Sequence, residues 1–209
     1  MALRQGNVVL DLGCGTGYLS SVLAERVGPL GRVVGVDPNK KRLHVANEKY
    51  GHVENLHFVF GSSTNFPSGP YDVIFANQVM QWIEDKESAF KYVYQNLKVG
   101  GTFAFLCPAD PANRILELLN PTVSESLFYC SCEEYESLAL VCDFEVEHKS
   151  IETVTHKFEN VDKYITWALA TMDVDPLQID PETMYDVKKR IEVPELKWKK
   201  IQFILKYKH

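Results

Sequence analysis

Basic charge, paired cysteines and long apolar runs are all scarce in this sequence of 209 residues. Lys and Arg number 22 against 28 Asp and Glu, and the formal net charge of −6 has the wrong sign for a chain that tracks a phosphate backbone. A nucleic-acid partner is therefore not expected. One basic run, Lys188 to His209, holds eight Lys or Arg against two acids and reads as a solvated face. The five cysteines, Cys14, Cys107, Cys130, Cys132 and Cys142, are odd in number and lack paired CxxC spacing. They form neither a disulfide framework nor a zinc site, and read as reduced thiols. Six histidines are scattered without metal-ligand spacing, and no GxSxG nucleophile elbow exists. No run approaches the ~18 apolar residues of a membrane span, and residues 1–7 are too short and polar for a signal peptide. A cytoplasmic chain without a membrane partner is expected. With 45% hydrophobic residues, it can bury one sizeable α/β core.

What the chain does have is concentrated at its start. The run Val8 to Gly17, VVLDLGCGTG, fuses an apolar strand to a glycine turn and then to a helix opening near Tyr18. Glycines at Gly13, Gly15 and Gly17, with Cys14 between the first two, let the backbone turn sharply and meet a ligand with no Cβ in the way. The helix that follows offers unpaired N–H groups at the same place. A dinucleotide fingerprint would need glycine where Tyr18 stands and has no use for an acid at Asp11, so a nicotinamide-dependent oxidoreductase is disfavoured.

A second strand, Arg32 to Val36, ends at Asp37. A carboxylate there can accept hydrogen bonds from both ribose hydroxyls, while Pro38 is expected at the first position of the next helix. Asp37 also suits a helix N-cap, and the two roles can coexist. A third strand, Leu56 to Phe60, runs into Gly61, Ser62 and Ser63. A fourth, Tyr71 to Ala76, is followed by Asn77, Gln78, Val79, Met80, Gln81 and Trp82, at the strand end where a doubly wound sheet keeps its ligand crevice.

This pattern resembles motif I of the class I S-adenosylmethionine-dependent methyltransferases, over about Val8 to Leu106 and more weakly to the C-terminus. The resemblance implies S-adenosylmethionine as cofactor and S-adenosylhomocysteine as product. Asp11 would pair with the amino group of the methionine part, Asp37 and Pro38 would meet the ribose, and Asn77 would lie beside the cofactor. Relatives usually place an acid after the third strand to accept from the adenine amino group. Here Ser62 and Ser63 stand instead, and a neutral hydroxyl is roughly half as strong an acceptor. Weaker adenine recognition is expected, which Ser62→Asp should tighten.

The stretch FANQVMQWIED resembles the trans-aconitate and juvenile hormone acid methyltransferase branch, whose substrates are small acids, and lacks the Asn/Asp-Pro-Pro-aromatic run of enzymes that methylate exocyclic amino groups of bases. Gln78, Gln81 and Trp82 are the candidates for an acceptor pocket, although Trp82 suits a buried helix face equally well. No catalytic base is assigned, because a carboxylate acceptor is already ionised at neutral pH. Cys107 before Pro108 superficially resembles the nucleophile of cytosine-5 methyltransferases, but reads better as a core cysteine.

The expected fold is α/β, a doubly wound Rossmann-like sheet of seven strands in the order 3-2-1-4-5-7-6, the seventh antiparallel. Helical faces repeat at Leu19, Val22, Leu23 and Val27, and at Phe90, Val93, Tyr94 and Leu97. Gly100 and Gly101, in LKVGGTF, are expected to stop the second helix before a strand at Thr102 to Leu106. Ser131 and Glu134 form a capping box for a helix carrying Tyr135, Leu138, Ala139 and Cys142. Phe144 to His148 and Ile201 to Tyr207 should be the last two strands. The whole chain, 1–209, reads as one domain, with residues 158–195 a helical insertion near the substrate mouth or a helix pair on the sheet edge. Relatives carry helices before the first strand that fold over the site. Here that strand begins within about seven residues of Met1, so weak or absent turnover is expected. A non-catalytic cofactor-binding module of the same fold is the competing reading.

Overall fold

The structure, a computed structural model, describes residues 3–109, 127–172, 174, 177, 179–190 and 195–208. Strands alternate with helices in the order β1 (Val8–Leu12), α1 (Tyr18–Val27), β2 (Arg32–Asp37), α2 (Lys40–Tyr50), β3 (Leu56–Phe60), β4 (Tyr71–Asn77), α3 (Lys86–Asn96), β5 (Leu97–Pro108), α4 (Cys132–Val141), β6 (Phe144–Lys157), α5 (Val161–Met172), α6 (Pro181–Arg190) and β7 (Glu195–Tyr207). The sheet order is β3-β2-β1-β4-β5-β7-β6, with β7 antiparallel to both of its neighbours. This is the expected topology. In such a sheet the carboxyl ends of β1, β2 and β4 open onto one crevice, and β1 and β4 meet at the point where the strand order reverses.

Two apolar layers cover the sheet, because each parallel strand must bury both faces. On one face Leu10, Ile74, Phe103 and Phe105 pack with Phe90 of α3 and Tyr135 of α4. On the other, Val9, Val33 and Val73 meet Leu23, Ala24 and Val27 of α1. Phe90 sits edge-on to Phe103 at 5.3 Å and to Phe105 at 5.8 Å, the geometry that aromatic quadrupoles favour. Helices α5 and α6 hold a small core of their own from Tyr164, Ile165, Ala168, Leu169 and Val187.

Several boundaries differ from the sequence expectation. Helix α2 begins at Lys40 under an Asn39 cap, whose side chain accepts from the amides of Lys41 and Arg42, so Pro38 lies outside the helix and Asp37 is not its cap. Helix α3 ends at Asn96, before the glycine pair, and Leu97 already pairs with Tyr71. Gly100 takes φ +73° within an irregular stretch of β5 where the register shifts. Strands β6 and β7 reach far beyond their predicted spans and continue pairing out to Lys157 and Glu195. The Ser131–Glu134 capping box is present, with Glu134 Oε2 accepting from the Ser131 amide at 2.6 Å.

Candidate functional site

The glycine turn gives each glycine a different task. A Cβ on Gly13 would collide with Val79, and one on Gly17, at φ +83°, would lie 2.6 Å from Phe58 Cζ and 3.0 Å from Ala46 Cβ. Those two positions are glycine because neighbours fill the space. Gly15, at φ +55°, faces nothing within 4 Å. Its missing side chain therefore leaves an open approach to the backbone. The turn is pinned to β2 by the amides of Gly13 and Cys14, which both donate to Val36 O, and α1 starts without a side-chain cap.

Two buried carboxylates flank the turn. Asp37 is 4% exposed, and its oxygens accept from the amides of Gly15 at 2.9 Å and Asn39 at 2.8 Å. Asp11 is 1% exposed and accepts from the Ser20 hydroxyl at 2.5 Å. Burial pushes the Asp11 carboxyl up to about 6, the Ser20 hydrogen bond opposes this, and the charge of Asp37 adds to it. No cation pairs with Asp11 among the described residues. Cys14 is buried beside both acids, which with desolvation raises its thiol pKa far above the ordinary value.

Beside the turn lies a cleft of about 550 Å³. One wall is Pro38 with Gly61–Thr64, after β2 and β3. The other is Val79 with Trp82–Asp85 and Ser88, after β4, and Leu12, Gly13 and Val36 form the floor. Of the sequence candidates, Gly13, Pro38, Ser62, Ser63 and Trp82 line this cleft, whereas Asp11, Cys14, Gly15, Gly17, Asp37, Asn77, Gln78 and Gln81 do not. Trp82 is 37% exposed, so it is not a core residue.

Gln78 and Gln81 are engaged elsewhere. Gln78 has φ +60°, uncommon for a non-glycine residue, and its amide donates to Leu106 O at 2.7 Å. Its carbonyl accepts from Gln81 Nε2 at 3.0 Å. Gln81 is 5% exposed, and its Oε1 finds no partner among the described residues. The two glutamines therefore shape the turn after β4 rather than the cleft surface.

Sequence reasoning passed over three residues here. Glu84 and Asp85 line the cleft, and the Asp85 side chain caps α3 through the Ser88 amide at 2.9 Å. Lys86 is buried, and its Nζ donates to Ile83 O at 2.6 Å and Phe128 O at 2.5 Å, clipping the 127–130 segment to the end of the cleft wall. The single hint was Asp85-Lys86-Glu87-Ser88, an N-terminal capping signature hidden within an acidic patch. Cys107 is fully buried, and burial raises its thiol to about 12, which removes it as a nucleophile. Among the described residues no helix is long and apolar enough to cross a membrane.

Comparison with known proteins gives this geometry a family. A family model described as a methyltransferase domain matches residues 3–168. A trans-aconitate 2-methyltransferase of Azoarcus sp. is 36% identical over 117 residues, 54% of this chain and 45% of that protein. A malonyl-[acyl-carrier protein] O-methyltransferase of Ilyobacter polytropus is 29% identical over 158 residues, 73% of this chain and 58% of that protein. The chain thus spans about half the length of these curated relatives. The solved structure of an S-adenosylmethionine-dependent methyltransferase from Mesorhizobium loti superposes with a TM-score of 0.63 at 17% identity, covering 99% of this chain and 93% of that one. A phosphoethanolamine N-methyltransferase 2 from Haemonchus contortus, crystallised with S-adenosyl-L-methionine, gives 0.65 at 17% identity over 100% of this chain and 50% of that one. These structures share the fold. Since the family model covers most of the chain and the strand order is the one its glycine motif implies, the chain belongs to the S-adenosylmethionine-dependent methyltransferase family.

Proposed function

We propose that this chain binds S-adenosylmethionine across the glycine turn and the cleft, and transfers its methyl group to a small molecule whose reacting atom is a carboxylate oxygen. The observation that carries the cofactor reading is the combination of Asp11, a buried carboxylate without a cation among the described residues, and Gly15, whose missing Cβ leaves the backbone open. S-adenosylmethionine supplies an electrophilic methyl on a sulfonium and, in the same molecule, an ammonium group for Asp11. Asp37, already oriented by the Gly15 and Asn39 amides, retains lone pairs for the ribose hydroxyls. Ser62 and Ser63 meet the base, with Pro38 against one face of the nucleoside.

On the acceptor side the chain works by placement. Alignment of the two reactants at ~3–3.5 Å supplies much of the acceleration, and an ionised carboxylate needs no proton removed. Among the described residues the cleft lining holds no histidine, lysine, cysteine or tyrosine, and its ionisable side chains are the carboxylates Glu84 and Asp85. The relatives named for trans-aconitate and for malonyl carried on a protein support the same class. Trp82 offers an aromatic face beside the cleft.

Isothermal titration with S-adenosylhomocysteine tests the cofactor reading. Micromolar binding is expected, and Asp37→Ala should weaken it tenfold or more, the order set by hydrogen bonds to a charged group. No heat with the wild-type chain would overturn the assignment. Radiolabel transfer to a panel of small carboxylic acids, compared with amines of similar size, then tests the acceptor class.

A further inference from the structure

The adenine end of the cleft has a weak wall and a strong one. The weak wall follows β3. Ser62 spends its backbone groups on a bridge with Asn65, the Ser62 amide donating at 2.8 Å and its carbonyl accepting at 3.2 Å. Its hydroxyl oxygen already faces the Thr64 amide at 3.4 Å. What remains there for a ligand is at best a neutral hydroxyl acceptor. The opposite wall comes from the turn after β4, which lies across β2 and β1 from β3 in the sheet. Two carboxylates line it, Glu84 and Asp85.

These two acids are not equivalent. Asp85 holds the start of α3 through the Ser88 amide, and hydrogen bonds from the Ser88 hydroxyl and then its amide keep the carboxyl below the usual range, so it is committed to the helix. The exposed Glu84 side chain lines the cleft and makes no hydrogen bond or ion pair among the described residues. Its position is nonetheless held, because its carbonyl accepts from the Lys86 amide at 3.1 Å and the Lys86 ammonium is locked to Ile83 O and Phe128 O. A carboxylate free to pair, on a fixed backbone, faces a nucleoside cleft whose other wall carries no charged side chain among the described residues.

We propose that Glu84 accepts the hydrogen bond of the adenine exocyclic amino group, supplying from the β4 side the charged acceptor that the β3 side lacks. This rests on the cofactor reading of the cleft. Charge-assisted hydrogen bonds are roughly twice as strong as neutral ones, so Glu84, not Ser62, sets the preference for adenine over other purines. It follows that Ser62→Asp gains little in the wild-type background, since the amino group already has its carboxylate and a further negative charge would face Glu84 and Asp85 across the cleft.

The test is base discrimination. S-adenosylhomocysteine presents an amino donor at purine position 6, whereas S-inosylhomocysteine presents a carbonyl acceptor there. The two ligands carry the same charge, so general electrostatic effects cancel in the ratio of their affinities. Titration calorimetry of the full chain with both ligands should give at least a tenfold preference for the adenosyl form, as expected of a hydrogen bond to a charged group. Glu84→Gln should weaken the adenosyl ligand about tenfold. Because its amide N–H can donate to the inosyl carbonyl, the preference should shrink or invert. Glu84→Ala should lose the preference without inversion, and Ser62→Asp should tighten binding only when combined with Glu84→Gln. A preference unchanged in both Glu84 variants overturns the inference and leaves the cofactor site standing. Failure of the wild-type chain to bind either ligand overturns both.

Discussion

A buried carboxylate with no counter-cation among the described residues is the most consequential single residue here. Asp11 has its carboxyl pushed up to about 6 from an ordinary 3.8, chiefly by desolvation. The folded state therefore holds the proton more tightly than the unfolded chain does. That contribution to stability is fully present below about pH 4 and is lost as the pH rises through 6, a change of roughly 3 kcal/mol. Scanning calorimetry of the ligand-free chain should find Asp11→Asn melting higher at pH 7.5 by several degrees, at about 2–4 °C per kcal/mol for a chain of this size. The dependence of the wild-type midpoint between pH 4 and 6 should flatten in the variant. If Asp11 holds the cofactor's ammonium, the same substitution weakens S-adenosylhomocysteine binding, so stability and affinity move in opposite directions. A variant unchanged in both would remove Asp11 from the site. Gly15 gives a second opposition. Gly15→Ala costs only the backbone strain of a left-handed residue, about 1–2 kcal/mol, since its Cβ meets open space. It should nevertheless abolish ligand binding by occupying the approach. Gly17→Ala, which strikes Phe58 and Ala46, should instead fail first in thermal stability.

At the scale of elements, what the sequence disclosed depended on how local the cause was. The βα unit around Val8–Gly17 and the Ser131–Glu134 box each follow from a few adjacent residues, and both are present. The turn after β4 is shaped by distant causes that no local pattern carries. Gln78 is held in its left-handed conformation by Leu106 O, and the Gln81 carbonyl accepts from the Phe128 amide at 2.8 Å, partners 28 and 47 positions away. No periodicity reports such contacts. Lys86 shows the same blindness, since a lysine in the run Glu84-Asp85-Lys86-Glu87 reads as a solvated charge yet is 6% exposed. Removing its ammonium leaves two carbonyls without their donor. Lys86→Met should therefore cost about 2–4 kcal/mol in denaturant unfolding, against less than 1 for the exposed Lys91→Met, whose partner Glu87 is also solvated. Equal effects of the two substitutions would show that the clip is not structural.

Across the whole molecule, charge and core are distributed less evenly than the composition implies. Of the eight basic residues in the C-terminal run, four pair with acids among the described residues, Lys188 with Asp162, Arg190 with Asp186, Lys200 with Glu152 and Lys206 with Glu147, while the same run buries Ile201, Phe203 and Leu205 in β7. The apolar core is divided as well. The sheet, α1, α3 and α4 share layers rich in fully buried aromatics, whereas α5 and α6 bury five residues in a separate cluster beside partly buried Trp198 of β7. Between α5 and the rest, the cleft side contributes the Arg42 guanidinium at the start of α2, which donates to Ala170 O and Thr171 O at 3.5 and 3.4 Å. A cation beside the carbonyls that end a helix is favourable, but at this exposure it is worth well under 1 kcal/mol. Stability should therefore fall in two steps. Hydrogen exchange should find amides of residues 161–172 and 181–190 opening through a partial unfolding that leaves the Phe90, Phe103 and Phe105 layer protected. Arg42→Ala should speed exchange in α5 and leave the slowest amides of β1 and β4 unchanged. Because Arg42 lies in the first turn of the helix that follows Asp37 and Pro38, a ligand on the ribose site should slow exchange in α5 of the wild-type chain and do so less in Arg42→Ala. A single exchange regime shared by helices and sheet would mean that the separate cluster is no separate unit, and that α5 and α6 answer to the core rather than to the cleft.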